Sequence, residues 1–313
     1  MKRILLLLFS LNCLAQQQAA NWYFGNKAGI KFDAAGNVTA VTNGQLLTNE
    51  GCATLSDTNG NLLMYTDGVT VYNKIHQVML NGTGLMGDSS TTQSATIVPK
   101  PGRTNLFYVF TLDLLAGVNG FRYSVVDMAA VGGFGAVTTD KNMLIYTPSS
   151  EKIAVVKHAN GIDYWVVTHG WNNKAFNSYL LTSAGLSNTP VISNIGVIVG
   201  GSDENTWGQM KISSNGQKLA ICNSRINTEL FDFSTTTGII SNSLVLHTVT
   251  VSPQGYDYGV EFSPDGSKLY ISSNNEDPFL NYLYQFDLNA TNIPLSIQTI
   301  MSGVYPVFGS FAL

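Results

Sequence analysis

The sequence predicts an all-β protein built from repeated antiparallel hairpins, and three observations lead to this. The first concerns residues 260–274, where apolar and polar residues alternate on both sides of a short turn. A period of two on both arms is typical of a β-hairpin with one buried face. Pro264 fixes φ at the first central position of the turn, and Gly266 can adopt the left-handed conformation that lets the strands pair.

The second observation is that related hairpins recur along the chain, with turn glycines 42 to 59 residues apart. This spacing suits a four-stranded blade with variable loops. The third is that only 12% of the residues are charged, against roughly 25% in an average soluble domain. Together these features predict a β-propeller of about six to seven four-stranded blades. The turn glycines are Gly60, Gly102, Gly161, Gly216 and Gly266.

The first two units set the pattern in chain order. Aromatic strand formers open the first unit, and tight turns at Asn59-Gly60 and Asp67-Gly68 divide the second. The predicted strands are 21–25, 30–33 and 38–41, then 51–57, 62–66, 69–73 and 74–80.

Four later units repeat the pattern with variable spacing. Residues 112–118 are apolar but contain Gly117 and lie between strands, so they predict a connection and not a helix. Residues 305–313 resemble an innermost strand whose following turn is missing, so we expect a last blade that is incomplete at the C-terminus. The strands predicted in these units are 94–98, 106–111 and 121–126; 153–158, 164–168 and 175–182; 210–213, 218–222 and 229–233; and 260–263, 269–272 and 282–288.

Residues 1–20 are interpreted as a signal peptide and short leader. Basic residues at positions 2 and 3 precede an apolar run that is too short to span a bilayer, and we place cleavage after Ala15. Lipid attachment at Cys13 is the alternative, although Asn12 is a poor residue directly before a lipidated cysteine. We therefore expect an exported protein, extracellular or on the outer cell surface, with residues 21–313 as a single propeller domain.

The mature chain carries no predicted transmembrane segment and is mildly acidic. Loss of Lys2 and Arg3 changes the formal charge from −4 to −6. Such a chain would not displace counterions from phosphates, which argues against a nucleic-acid partner. Cys52 and Cys222 lie in apolar runs and are expected to be buried free thiols, while a disulfide would require them to lie in neighbouring blades.

A resemblance to a known group rests on four stretches: 21–26 (NWYFGN), 50–54 (EGCAT), 65–73 (YTDGVTVYN) and 92–102 (TQSATIVPKPG). With them, the chain resembles the N-terminal β-propeller region of large gliding-motility-associated surface proteins exported by the type IX secretion system. Its later units are similar to WD40-like or lactonase-like propellers. The resemblance implies a secreted or surface protein, and it carries no established catalytic residues onto this chain.

Motifs for catalysis are missing from the sequence. The four histidines lack metal-ligand spacing, and neither a GxSxG elbow nor a phosphate-binding loop is present. Residues 57–61 faintly resemble a calcium loop but lack its full ligand set, so they are interpreted as a hairpin turn. We therefore expect no catalytic residues, no metal site and no cofactor, with calcium required only by the hydrolase alternative below.

Topology offers a better candidate for a site. In a propeller, the loops that enter each innermost strand and the loops that join second to third strands open on one rim of the channel. Carboxylates and aromatic rings converging there could hold a cation, a sugar or a peptide, and a solvated acidic rim with buried aromatics is the alternative. The candidate ligand-binding residues are Glu50, Asp67, His169, Trp171, Asp203, Glu204, Trp207, Arg225, Asp257, Asn274 and Glu276, with Asp88, Asp113, Glu151, Tyr256 and Asn275 on or beside the same loops.

Three function classes follow from these features. The leading hypothesis is an exported, non-enzymatic propeller that binds a protein or glycan ligand at the cell surface or in the extracellular space. An alternative is a calcium-dependent, lactonase-like hydrolase that uses channel carboxylates. The third is a structural spacer within a larger surface protein.

Overall fold

The computed structural model describes residues 17–249, 255–276 and 279–304, without the side chains of residues 276 and 279. Within these ranges the chain forms six sheets that follow one another in chain order, with antiparallel pairing between the strands of each sheet. The predicted all-β propeller is therefore confirmed, with six blades. The predicted signal peptide, its cleavage site and the predicted strand at 305–313 lie outside the described residues.

Blades 1 and 2 have fewer strands than blade 3. Blades 1 and 2 have three strands each in the described ranges, and blade 3 has five, because two short outer strands both pair with its third strand. The strands are β1 (Asn21–Phe24), β2 (Ala28–Phe32) and β3 (Val38–Val41); β4 (Ala53–Ser56), β5 (Leu62–Thr66) and β6 (Val71–Asn73); and β7 (Ala95–Pro99), β8 (Leu106–Leu112), β9 (Phe121–Asp127), β10 (Ala136–Val137) and β11 (Met143–Tyr146).

Blades 4, 5 and 6 each contain at least one strand of nine or more residues. Blade 4 has five strands, two of which pair with its third strand, and blades 5 and 6 have four each. The strands are β12 (Ser149–Lys157), β13 (Tyr164–Gly170), β14 (Asn173–Thr182), β15 (Gly185–Leu186) and β16 (Val191–Val199); β17 (Met210–Ile212), β18 (Lys218–Cys222), β19 (Asn227–Phe233) and β20 (Ile240–Thr248); and β21 (Gly255–Phe262), β22 (Lys268–Glu276), β23 (Phe279–Asp287) and β24 (Gln298–Val304). Short 3-10 turns occur at Gln17–Ala19, Leu114–Ala116, Val131–Gly133, Asp203–Thr206 and Pro294–Ser296.

The hydrophobic core is divided into clusters between successive blades, because each sheet buries apolar side chains on both of its faces. Burying such a side chain contributes about 1.5–3 kcal/mol, so these contacts hold the blades face to face. Representative buried residues are Tyr23 and Tyr65 between blades 1 and 2, Met64 and Val109 between blades 2 and 3, Phe110 and Ile153 between blades 3 and 4, Phe176 and Phe231 between blades 4 and 5, and Cys222 and Leu269 between blades 5 and 6.

Only blades 5 and 6 have the predicted four strands in the described ranges, and blade 2 shows why one predicted strand is missing. Residues 74–80 were expected to form the fourth strand of blade 2, yet they make only isolated bridges at Val78 and Leu80. The reason is local: the Asn73 side chain accepts hydrogen bonds from the backbone N–H groups of Ile75 and Gln77, and His76 has a φ of 62°. This turn interrupts the extended backbone that a strand requires.

The cysteines lie far apart in the ring. Both thiols are free, with Cys222 buried in blade 5 and Cys52 half-buried just before β4 of blade 2. These blades are not neighbours, so the disulfide alternative is excluded.

Candidate functional site

The predicted rim can be located from the strand directions. We define the upper rim as the end of blades 2 to 6 at which their first strands, β4, β7, β12, β17 and β21, begin. Because paired strands alternate in direction, the connections between second and third strands return to the same end. The five predicted hairpin glycines all lie at the opposite end, between first and second strands.

Four residues meet on the upper rim between blades 5 and 6, and we call them the rim cluster: Glu204, Trp207, Arg225 and Tyr256. The Nε–H of Arg225 donates to the Glu204 carboxylate in an ion pair. The guanidinium carbon of Arg225 lies 6.0 Å from the centre of the Tyr256 ring, within the range of cation–π attraction. The Trp207 and Tyr256 rings meet edge to face with centres 6.2 Å apart.

The rim cluster is partly open to solvent. The Glu204 side chain is 41% exposed and that of Arg225 21%, while the two aromatic residues are half-buried. Partly exposed rings beside an ion pair offer both apolar contact and oriented hydrogen-bonding groups, which is the usual make-up of a binding site.

The loop that carries two of these side chains is built by a short turn and one close contact. Glu204 lies in the 3-10 turn Asp203–Thr206, and the N–H of Trp207 donates to the Glu204 carbonyl at 3.2 Å. Gly208 follows with a φ of +99°, and a Cβ atom there would lie 2.4 Å from the Cys222 carbonyl oxygen. Only glycine lets the chain pass this close to β18 directly after Trp207.

Beneath this loop, Glu151 is fully buried and fully hydrogen-bonded. Its Oε2 accepts from the N–H and the hydroxyl of Thr92 at 2.8 and 2.9 Å. Its Oε1 accepts from the Leu115 N–H at 2.9 Å and the Thr206 hydroxyl at 3.1 Å. One carboxylate at the start of β12 thus joins the loops that precede β7 and β17 to the connection after β8.

The next residue, Lys152, binds the same loop through the backbone carbonyl groups of that loop. Its side chain is 0% exposed, and its ammonium donates to the carbonyl oxygens of Thr206 (2.9 Å), Gly208 (3.0 Å) and Trp207. Burial lowers the pKa of Lys152 to about 7, although the negative charge of Glu151 opposes this effect. We call Glu151 and Lys152 the inner anchor, because they fix residues 206–208 and thereby the backbone of Trp207.

Three predicted candidates are buried and hydrogen-bonded within the protein. Asp67 accepts from the N–H groups of Val69 and Thr70 at 2.9 and 2.8 Å, which closes a tight turn. The ring of His169 is buried, with Nδ1 2.8 Å from the Gly170 carbonyl oxygen, and burial lowers its pKa to about 4.

The third of these, Asp257, is 0% exposed and binds two neighbours. It accepts from the Thr228 hydroxyl at 2.7 Å and lies 2.9 Å from Nδ1 of His247. Burial alone would lower the pKa of His247, but the hydrogen bond and charge of Asp257 outweigh it and raise that pKa.

Four of the remaining candidates lie on the upper rim outside the rim cluster. Trp171 is half-buried in the turn between β13 and β14, and Asp203 is exposed. Asn274 lies opposite Tyr256 in the pairing of β21 with β22. Glu276 ends β22, and its side chain lies outside the described part of the chain.

Glu50 occupies a separate position at the channel mouth, in the loop that enters blade 2. Burial raises the pKa of its carboxyl to about 7; the nearby Tyr258 hydroxyl opposes this rise, and the negative charges of Glu151 and Asp88 add to it. Tyr258 of β21 lies beside it and interacts with it. Glu151 is expected on the rim from the sequence, whereas Lys152 and Tyr258 are not singled out because their positions depend on contacts between distant blades.

Two further findings concern metal-binding groups and membrane-spanning helices in the described residues. In the ranges 17–249, 255–276 and 279–304, no three His, Cys, Asp or Glu side chains are grouped so as to hold a metal ion. A search of the same described ranges finds no helix with the length and apolar character needed to cross a membrane.

Comparison with known proteins identifies the fold. No family model matches the chain, and no curated protein matches it. Among solved structures, it is similar to a protein from Lactobacillus plantarum at 15% identity and a TM-score of 0.52, covering 91% of this chain and 81% of that one. A quinonprotein alcohol dehydrogenase-like protein from Bacteroides thetaiotaomicron shows 10% identity and a TM-score of 0.53, over 91% of this chain and 65% of that one. A periplasmic gluconolactonase from Pseudomonas aeruginosa shows 11% identity and a TM-score of 0.47, over 91% and 80%.

At these identities the likeness establishes the fold alone. Export, the resemblance to gliding-motility-associated proteins and the location outside the cell remain predictions.

Proposed function

We propose that this protein is an exported ligand-binding β-propeller and that the rim cluster is its contact surface for a protein or glycan. The observation that carries the proposal is the meeting of Trp207, Arg225 and Tyr256 beside Glu204 on the open side of blades 5 and 6. Large aromatic rings and arginine are the side chains that contribute most to binding energy at protein surfaces.

The inner anchor supports the same conclusion. Because Lys152 binds three consecutive carbonyl oxygens, the segment that carries Trp207 is fixed before a ligand arrives. A surface that is already ordered loses less conformational entropy on binding. A buried ammonium held by backbone carbonyls is a costly way to shape a loop that only meets solvent.

The test is a glycan array together with adhesion of the purified protein to cells, using wild type and the variants W207A and R225A. We expect each variant to weaken binding by about 10- to 100-fold, the effect typical of truncating a central aromatic or arginine residue. Leu295→Ala is the matched control, since Leu295 is exposed and lies in the connection between β23 and β24 at the opposite end of blade 6.

Two results would contradict the proposal. One is unchanged binding in both rim variants. The other is turnover of a lactone by the wild type, with calcium present, when neither the array nor the cells bind it.

A further inference from the structure

Two buried oxygen atoms at the channel mouth have no hydrogen-bond partner among the described residues: Oε2 of Glu50 and the hydroxyl of Tyr258. The Tyr258 hydroxyl approaches both the Glu50 carboxylate and the side chain of Thr92, but neither contact has regular hydrogen-bonding geometry. Buried polar atoms in folded proteins rarely lack a partner. These two therefore form a candidate site for a hydrogen-bond donor.

Gln209, whose backbone pairs with that of Tyr258, also carries a buried acceptor. Its N–H donates to the Tyr258 carbonyl at 2.8 Å, and its side chain, in a residue only 8% exposed, has an Oε1 atom with no partner in the described ranges. All three oxygen atoms can accept hydrogen bonds. A group that satisfies the Glu50 and Tyr258 oxygen atoms must bring more than one donor.

The charges near Glu50 favour a cation. Glu151 and Asp88 both act on Glu50 through their negative charges. The buried cation next to Glu151, Lys152, donates to the carbonyl oxygens of residues 206–208 and not to Glu50. The negative field at Glu50 is therefore not neutralised by this lysine.

The site also adjoins the rim cluster. The rings of Tyr258 and Tyr256 lie with their centres 6.4 Å apart and nearly perpendicular, at 78°. A ligand that contacts Trp207 and Tyr256 would thus lie next to Tyr258 and Glu50.

We propose that Glu50 and Tyr258 form a subsite for a protonated primary amine of the ligand. An ammonium group brings three N–H donors and one positive charge, which match the unpaired acceptors and the negative field. A lysine side chain of a protein or an amino sugar of a glycan can supply this group. The inference rests on the proposed function, because it names the chemistry of the ligand that the rim cluster contacts.

The test is calorimetric titration of the purified protein with three cations: Nα-acetyl-lysine amide, glucosamine and tetramethylammonium. We expect at least one of the two amines to bind, which also identifies the source. Tetramethylammonium has the charge but no N–H donor, and we expect it to bind at least about tenfold more weakly.

Variants locate the binding. E50Q should weaken amine binding by about tenfold or more, since it removes the charge of a partly buried pair, and Y258F should weaken it less. Asp140→Asn, at an exposed acid, should leave it unchanged, and thermal unfolding shows that each variant is folded. The affinity of wild type for the lysine derivative should rise about tenfold from pH 6 to pH 8, because Glu50 loses its proton near pH 7.

Three results would overturn the subsite: no binding of either amine, equal affinities of E50Q and wild type, or tetramethylammonium binding as tightly as the amines. Calcium binding at Glu50 more tightly than either amine would replace it with a metal site. Failure of the subsite can be told apart from failure of the proposed function. Cell or glycan binding that depends on Trp207 without amine binding overturns only the subsite, and amine binding without any cell or glycan binding overturns only the proposed function.

Discussion

Glu151 and Glu50 are two carboxylates at the same channel mouth with opposite surroundings. Glu151 accepts four hydrogen bonds from Thr92, Leu115 and Thr206, whereas Oε2 of Glu50 is buried without a partner among the described residues. Satisfied polar networks make a structure rigid, and unsatisfied groups cost stability. The blade 4 side of the mouth is thus a completed structural support, and the side that Glu50 shares with Tyr258 is suited to bind something else.

The largest expected effect comes from breaking the support. Lys152→Met leaves three buried carbonyl oxygens without their donor, so we expect the free energy of unfolding to fall by about 3 kcal/mol or more. Urea denaturation measures this loss. Lys174→Met is the matched control because Lys174 is exposed, and a loss below about 1 kcal/mol for K152M would show that the inner anchor is not a support.

A smaller loss of stability is expected from Glu151→Gln. The amide keeps the size of the side chain but places an NH2 group where donors from two or more neighbours already point. Replacing hydrogen bonds to a charged acceptor should lower the free energy of unfolding by about 2 kcal/mol at pH 8. Stability equal to wild type at that pH would remove the distinction drawn between the two carboxylates.

The fold was predictable because its main signals are local. The five hairpin glycines named from the sequence all adopt positive φ, between 69° and 82°, as turns between paired strands require. The outer strands of blades 3 to 6 were not predicted. In β11, Met143 and Leu144 are both exposed, so a strand at the blade edge leaves little apolar alternation to detect.

The site was predictable only in part, for a different reason. Acidic and aromatic residues on rim loops can be named from topology, and Glu204, Trp207 and Arg225 do meet. The inner anchor cannot be found this way, because Lys152 is bound by carbonyl oxygens 54 to 56 residues further along the chain. Backbone carbonyls have no sequence signature, so a lysine they bury looks the same as an exposed one.

The smallest expected effect on the free energy of unfolding comes from Glu50→Gln, and it should be a gain in stability, not a loss. Glu50 has a pKa raised from 4.5 to about 7 in the folded protein, so between these values the folded state holds a proton that the unfolded state has lost. Wild-type stability should therefore decline, through this group, as pH rises from about 4.5 to 7. Gln cannot ionise, so E50Q should match wild type near pH 4.5 and be more stable at pH 8, by about 1 kcal/mol after solvent screening of a partly exposed group. Urea denaturation of wild type, E50Q and D140N at both pH values measures the difference. If E50Q and E151Q both destabilise the protein at pH 8, then both carboxylates support the fold. The unpaired oxygen of Glu50 would then no longer indicate a ligand contact.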